Sequence, residues 1–240
     1  MARRGRLIAV EGRSAAGKTT LVRAAASDLG WHPLPEALDR LDPPPSLEFA
    51  SPRELLSLER TLLAEETHRY REARAICAQG RTVLADTGFL GPLTYTQGLV
   101  EIGRAPESVG RAVERSVRSL VRRGRLGLPD LTVYLETTAR ERRRHARSDP
   151  GRHPEAIAPR HEAVGAVEQR FFEELFPNAL PDRFRTMFAR SGPPGPVRTL
   201  RALVAEADPA PASRAEGLAL LSLALGPPPP RRRPAGGPNR

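Results

Sequence analysis

Residues Gly12-Arg13-Ser14-Ala15-Ala16-Gly17-Lys18-Thr19 match the pattern G-x-x-x-x-G-K-[ST] completely, and nothing else in the chain constrains the fold as tightly. The short apolar run Leu7-Ile8-Ala9-Val10 precedes them and reads as a buried strand. Thr20-Leu21-Val22-Arg23-Ala24-Ala25-Ala26 follows, a good helix former with apolar residues at helical spacing. Strand, glycine-rich loop and helix in that order are what give the pattern a mechanism. The glycines let successive backbone N–H groups face one anion, and the helix amino terminus adds partial positive charge. Lys18 then reaches the β- and γ-phosphates, and the Thr19 hydroxyl is placed for Mg²⁺. Residues 12–19, with Thr20 in the first helical turn, are therefore expected to hold a nucleoside triphosphate.

Composition sharpens this reading. Lysine and arginine total 38 of 240 residues, yet Lys18 is the only lysine, so arginine supplies the other 37 cations. A lysine kept at one place points to a position where a compact ammonium is hard to replace by a planar guanidinium. The same fact removes several phosphate-loop classes. A guanine-reading Asn-Lys-x-Asp segment needs a second lysine, and so does a protein-kinase strand lysine. No apolar run ends in Asp-Glu, which argues against motor-type hydrolases. The formal net charge of +10 invites a nucleic-acid reading. The arginines are spread through most predicted helices, however, and aromatic residues for base stacking are few, so dedicated nucleic-acid binding is disfavoured. One cysteine, Cys77, excludes an internal disulfide and a cysteine-based zinc cluster. No apolar run reaches the length of a spanning helix, and Leu7 to Val10 is too short for a signal-peptide core, so a soluble, cytoplasmic protein with no membrane partner is expected.

Two further segments place acids where such a sheet binds ligands. Arg81-Thr82-Val83-Leu84-Ala85-Asp86, entered from a helix over roughly residues 52–79, reads as a strand ending in Asp86, a candidate Mg²⁺ ligand. Trp31-His32-Pro33-Leu34-Pro35-Glu36 reads as a short, proline-limited strand ending in Glu36. That carboxylate is a candidate to orient or deprotonate an acceptor hydroxyl, with Asp39 and Glu48 as alternatives. Pro129-Asp130-Leu131-Thr132-Val133-Tyr134-Leu135-Glu136 is another buried strand, and it leads into an arginine-rich helix. On that helix Arg140, Arg144 and Arg147 share a face and Arg143 neighbours Arg147. Guanidinium groups aimed at a phosphoryl group in transfer lower its barrier, and one or more of these four is expected to do so.

These features together resemble thymidylate kinase and its nucleoside- and nucleotide-kinase relatives. The likeness covers about residues 6–207 and includes Asp86…Tyr95…Gln97-Gly98, similar to that family's D-R-Y…A-Y-Q-G segment. It implies an α/β phosphate-loop NTPase sandwich of three layers, a five-stranded parallel sheet flanked by helices. It also implies transfer of the ATP γ-phosphate, with Mg²⁺, to a small-molecule acceptor; a homodimer is compatible with it. Two departures favour a nucleoside-like hydroxyl acceptor over thymidylate. Thr87 stands where the family carries a phosphate-gripping arginine, and Ala64-Glu65-Glu66 replaces a second such arginine on the long helix. The Asp86-Thr87 pair is also similar to the ribosylnicotinamide kinase branch. The readings left open are a thymidylate kinase with a rebuilt acceptor site and a non-catalytic ATP-binding switch.

The remaining segments are read more simply. Glu65, His68 and Arg69 share a helix face that is expected to be solvated, with contact to the acceptor as the alternative, and His145, His153 and His161 read as surface residues. Ser148 to Arg160 reads as a mobile loop, Ala163 to Phe176 as a helix, Phe184 to Ala189 as the fifth strand and Pro196 to Ala207 as a final helix. The kinase domain is expected to span residues 1–207. Residues 208–240 form a Pro/Arg-rich extension, largely disordered apart from a short apolar helix near 215–225.

Overall fold

In the computed structural model, which describes residues 4–148, 159–188, 195–207 and 210–225, five parallel strands form one sheet in the order β2-β3-β1-β4-β5. The strands are β1 (Leu7–Glu11), β2 (His32–Leu34), β3 (Val83–Asp86), β4 (Leu131–Glu136) and β5 (Phe184–Phe188). All five match sequence expectations, as does the α/β class. The helices are α1 (Lys18–Leu29), α2 (Pro52–Ala78), α3 (Gly91–Glu101), α4 (Glu107–Arg122), α5 (Ala139–Ser148), α6 (Pro159–Arg170), α7 (Phe176–Ala179), α8 (Gly195–Ala207) and α9 (Arg214–Leu225).

The strand period of two divides the interior into two cores. Ile8, Val10, Leu84, Leu131, Val133 and Leu135 point to the face covered by α1 and α8. Leu7, Ala9, Val83, Ala85 and Tyr134 point to the opposite face, under α2, α3, α4 and α9. Register pairs Val10 with Asp86 across β1 and β3, so the loop after β1 and the acid ending β3 emerge side by side. They do so at the carboxyl edge where the strand order switches, the place open α/β sheets reserve for ligands.

Helix α6 ends in one π-type turn, Phe171–Leu175. Pro177, two residues on, has no N–H for the α-type bond back to Glu173, a local cause for the widened turn. The turn stacks Phe172 on Tyr134 with ring centroids 5.8 Å apart.

The expected boundary at residue 207 does not divide the described chain. Ser213 caps α9 by accepting from the Glu216 amide at 3.2 Å, while Glu216 accepts from the Ser213 amide at 2.7 Å. Leu220 and Leu221 are buried in the same core as the sheet. Residues 210–225 therefore belong to the folded unit. The proline- and arginine-rich end, like the loop expected between Ser148 and Arg160, falls mainly outside the described residues. Among the described residues no helix is long and apolar enough to cross a membrane.

Candidate active site

The loop after β1 curls by using left-handed backbone at three positions, Gly12 (φ 145°), Ala15 (φ 63°) and Gly17 (φ 97°). A Cβ at Gly12 would lie 2.7 Å from the Leu135 carbonyl oxygen, so close packing against β4 as well as conformation requires glycine there. The Ala16 amide donates to the Arg13 carbonyl at 3.0 Å, closing the turn. Lys18 begins α1 and folds back over the loop, its Nζ donating to the Gly12 carbonyl at 2.7 Å and to the Arg13 carbonyl at 3.3 Å. Thr19 is half-buried beside it, while Ser14 and Thr20 are exposed at the mouth.

Strand-tip acids gather around this ammonium. Asp86 is 2 % exposed, and its Oδ1 has no partner among the described residues. An orphaned buried carboxylate oxygen beside a phosphate loop fits a Mg²⁺ ion or its water, with the Thr19 hydroxyl as the second protein ligand. Glu36 lies two residues beyond β2 and is half-buried. Burial pushes its carboxyl above the ordinary range; Lys18 offsets part of this, and Asp86 and Asp39 add to the rise. The fold thus brings Lys18 at the start of α1, Glu36 after β2 and Asp86 at the end of β3 to one edge of the sheet.

Sequence reasoning missed two acids there. Glu11 ends β1 and accepts from the Gly88 amide at 2.7 Å, tying the two strand tips together. Burial raises its carboxyl to about 8, against the pull of the Gly88 amide and of Lys18. Glu168 on α6 accepts from the Thr94 hydroxyl at 3.1 Å, and burial raises it to about 7. Glu11 adjoins the glycine motif and was open to suspicion; nothing local marks Glu168.

The arginine-rich helix is phased differently from expectation. Thr138 and Glu141 form a reciprocal cap at its start, with the Glu141 amide donating to the Thr138 hydroxyl at 3.2 Å and the Thr138 amide to Glu141 at 3.0 Å. That phase leaves Arg140, Arg143, Arg144 and Arg147 exposed, without an ion pair among the described residues. The buried arginine of the helix is Arg142, which donates to the Thr137 carbonyl at 3.1 Å and to Glu162 at 2.8 Å. Glu162 also pairs with Arg13 at 2.8 Å, so one carboxylate links the phosphate loop to both α5 and α6. His145 is not a free surface residue: its Nδ1 is 3.0 Å from the Ala15 carbonyl and donates to it.

The long helix departs from expectation at one residue of three. His68 is exposed and Glu65 pairs with Arg40 at 2.8 Å, but Arg69 is fully buried. Its guanidinium donates to Glu66 at 2.6 Å, to the Asp86 carbonyl at 2.8 Å and to the Thr87 carbonyl at 3.4 Å. Burial nevertheless raises Glu66 to about 7. Thr87 itself has φ 66°, an outlying conformation for a β-branched residue. Its amide donates to the Val10 carbonyl at 3.1 Å, and that bond together with Arg69 holds the turn in place.

No known family and no curated protein matches the chain by sequence. Solved structures match it by fold. The chain superimposes on a deoxyadenosine kinase from M. mycoides with bound dATP at a TM-score of 0.64 and 14 % identity, over 83 % of this chain and 99 % of that one. It superimposes on a thymidylate kinase from Candida albicans at a TM-score of 0.60 and 16 % identity, over 85 % of this chain and 93 % of that one. The likeness is one of fold, a five-stranded parallel sheet flanked by helices.

Proposed function

We propose that the protein is an ATP- and Mg²⁺-dependent kinase that transfers the γ-phosphoryl group to a hydroxyl of a small, nucleoside-like acceptor. The observation that carries this reading is the meeting of Lys18, Asp86 and Glu36, from three separate segments of the chain, at one sheet edge. A loop of this shape binds phosphate through backbone N–H groups, and Lys18 is free to exchange loop carbonyls for phosphate oxygens. Thr19 and Asp86 would hold Mg²⁺, which neutralises charge on the phosphates when bound. Glu36, with its raised carboxyl, accepts the acceptor's proton as the new oxygen–phosphorus bond forms and the β–γ bridge breaks, releasing ADP. The α5 helix lies against the loop through Arg142 and His145, and its free Arg140, Arg143, Arg144 and Arg147 supply the charge that a transferring phosphoryl group attracts.

The hydroxyl assignment is supported by what Arg69 does. It is the guanidinium nearest the β3 tip on the long helix, and both of its terminal nitrogens are engaged, with Glu66 and two carbonyls. Glu36 also lies within electrostatic reach of it, so this side of the cleft offers little to a dianionic acceptor phosphate. Thr87, as in the ribosylnicotinamide-kinase resemblance, is part of the same proposed acceptor site.

ADP release tests the proposal directly. Screening nucleosides, nucleoside monophosphates and amino-alcohols should give acceptor-dependent ADP from one of the hydroxyl compounds. Lys18→Ala should lower that rate by about 10³-fold or more without changing the melting temperature. ADP formation with monophosphates alone would reassign the acceptor. Full activity in the lysine variant would end the kinase reading.

A further inference from the structure

A second concave surface lies on the outer side of the helical layer, between α2 and α4. The helical period places Arg60, Ala64, Thr67 and His68 on one face of α2, and Ala112, Arg115, Ser119 and Arg123 on the facing side of α4. Small residues along both faces keep the helices from filling the space between them. The result is a groove of about 590 Å³ with Leu63 and Leu120 in its floor, within the roughly 300–1,000 Å³ range of ligand clefts. No residue of the phosphate loop or of the strand tips lines it.

The end of α4 completes the groove. After Arg123 the chain reverses through Gly124 at φ 68°, with the Gly124 amide donating to Val121 at 2.9 Å and the Arg125 amide to Leu120 at 2.9 Å. This left-handed helix stop turns Arg125 back to line the cavity. Four guanidinium groups, from Arg60, Arg115, Arg123 and Arg125, therefore border one groove, and no carboxylate is among its lining residues.

Four other arginines of these two helices are neutralised. Arg69 pairs with Glu66, Arg74 with Asp130, Arg111 with Glu107 and Arg118 with Glu114. Arg53, Arg71 and Arg122, which do not line the groove, are exposed without an ion pair among the described residues. The four groove arginines are exposed and have no acidic partner among the described residues. Fixed positive charge around a concave floor, with hydroxyls of Thr67, Ser116 and Ser119 between, complements a ligand carrying several negative charges along a short chain. Guanidinium groups bind phosphate oxygens in paired fashion, so oligophosphate fits better than a single carboxylate. A second copy of this face would bring like charges together, which disfavours self-association here.

We propose that the α2–α4 groove binds an oligophosphate chain, free or carried by a nucleotide, at a site separate from the loop at Gly12–Thr19. This inference stands apart from the kinase assignment, since it uses none of the residues assigned to transfer.

Calorimetric titration of the full-length Lys18→Ala protein with sodium tripolyphosphate tests it, because that substitution removes the loop's ammonium and weakens its competing phosphate contact. One binding site is expected to remain. Replacing Arg115 and Arg123 together with serine should weaken it by roughly tenfold or more. Replacing Arg198 and Arg201 on α8, an equal loss of exposed charge, should change it less than twofold. ATP used in place of tripolyphosphate separates the two sources: equal affinity means the chain alone is read, and tighter binding means a nucleotide is. Absence of binding in the Lys18→Ala protein would overturn the proposal, as would equal weakening by both serine pairs, which would mean diffuse attraction to a basic surface. Displacement by single-stranded DNA with affinity growing with strand length would reassign the groove to nucleic acid and equally overturn it.

Discussion

At the amino-terminal edge of the sheet, Asp130 accepts from the Leu7 amide at 2.8 Å, from Arg74 at 2.7 Å and from the Ala212 amide at 3.0 Å. Beside it, Arg183 clasps Glu216 through two nitrogens at 2.7 and 3.0 Å and donates to the Asp130 and Ala210 carbonyls. At the carboxyl edge of the same strands, Asp86 keeps an oxygen without a partner, and burial raises the carboxyls of Glu11, Glu36 and Glu168. Both edges bury charge, and they differ in satisfaction. One edge uses carboxylates as structural acceptors. The other leaves Asp86 Oδ1 without a partner among the described residues and its glutamates only partly satisfied, and buried polar groups left wanting are where ligands bind.

Removing a charge from the satisfied edge should have the largest effect on stability. Arg183→Ala leaves the part-exposed Glu216 unpaired and two carbonyls without their donor, a loss on the order of 2–3 kcal/mol. The melting temperature should fall by on the order of 10 °C. Nucleotide affinity of the folded protein, read by ATP titration at low temperature, should hold, because the loop lies at the other end of the strands. An unchanged melting temperature would show that α9 is not fastened by this pair.

The two edges should also lose stability in opposite pH windows. Arg183 and the Ser213 cap lower Glu216 to about 2 from an ordinary 4.5. Its contribution is complete above about 4.5 and is lost as pH falls toward 2. Glu59, fully buried on α2 near Thr96 and Glu168, is raised by burial to about 8. Folded protein then holds a proton that unfolded chain releases, so stability falls as pH rises from about 4.5 to 8. Glu59→Gln keeps a neutral group there and should flatten that decline, adding on the order of 1–3 kcal/mol at pH 8 with little change at pH 5. Urea melts at the two pH values measure it. Equal stabilisation at both would mean that packing, not a proton, distinguishes the variant.

These edges were unequally legible in the sequence. The phosphate loop could be read because strand, glycines, lysine and helix are contiguous, and Asp86 because its strand is short and bounded. The fastening of α9 could not: an apolar segment behind a proline-rich linker looks detachable until Glu216 meets Arg183, which is 33 residues earlier and folded onto a different element. Likewise, five arginines within residues 140–147 look interchangeable. Their roles separate only when the Thr138 cap sets the helix phase and Glu162, twenty residues on, selects Arg142. Glu11 depended on the Gly88 amide, Glu168 on Thr94; both partners lie more than seventy residues away.

The smallest expected effect concerns the backbone turn that carries Asp86 into the cleft. Thr87 occupies left-handed backbone, which costs a branched residue about 1–2 kcal/mol, and the bonds from Arg69 and to the Val10 carbonyl keep it there. Thr87→Gly removes that cost but gains about 0.5–1 kcal/mol of unfolded-chain freedom. The net is a stabilisation of roughly 0.5–1 kcal/mol, a rise of about 1–4 °C in melting temperature. Thr87→Ala retains a Cβ and should recover less. A larger rise with alanine than with glycine would locate the effect in the lost hydroxyl and methyl groups, and the carboxyl edge would then be set apart by the open Asp86 oxygen and its raised carboxyls alone.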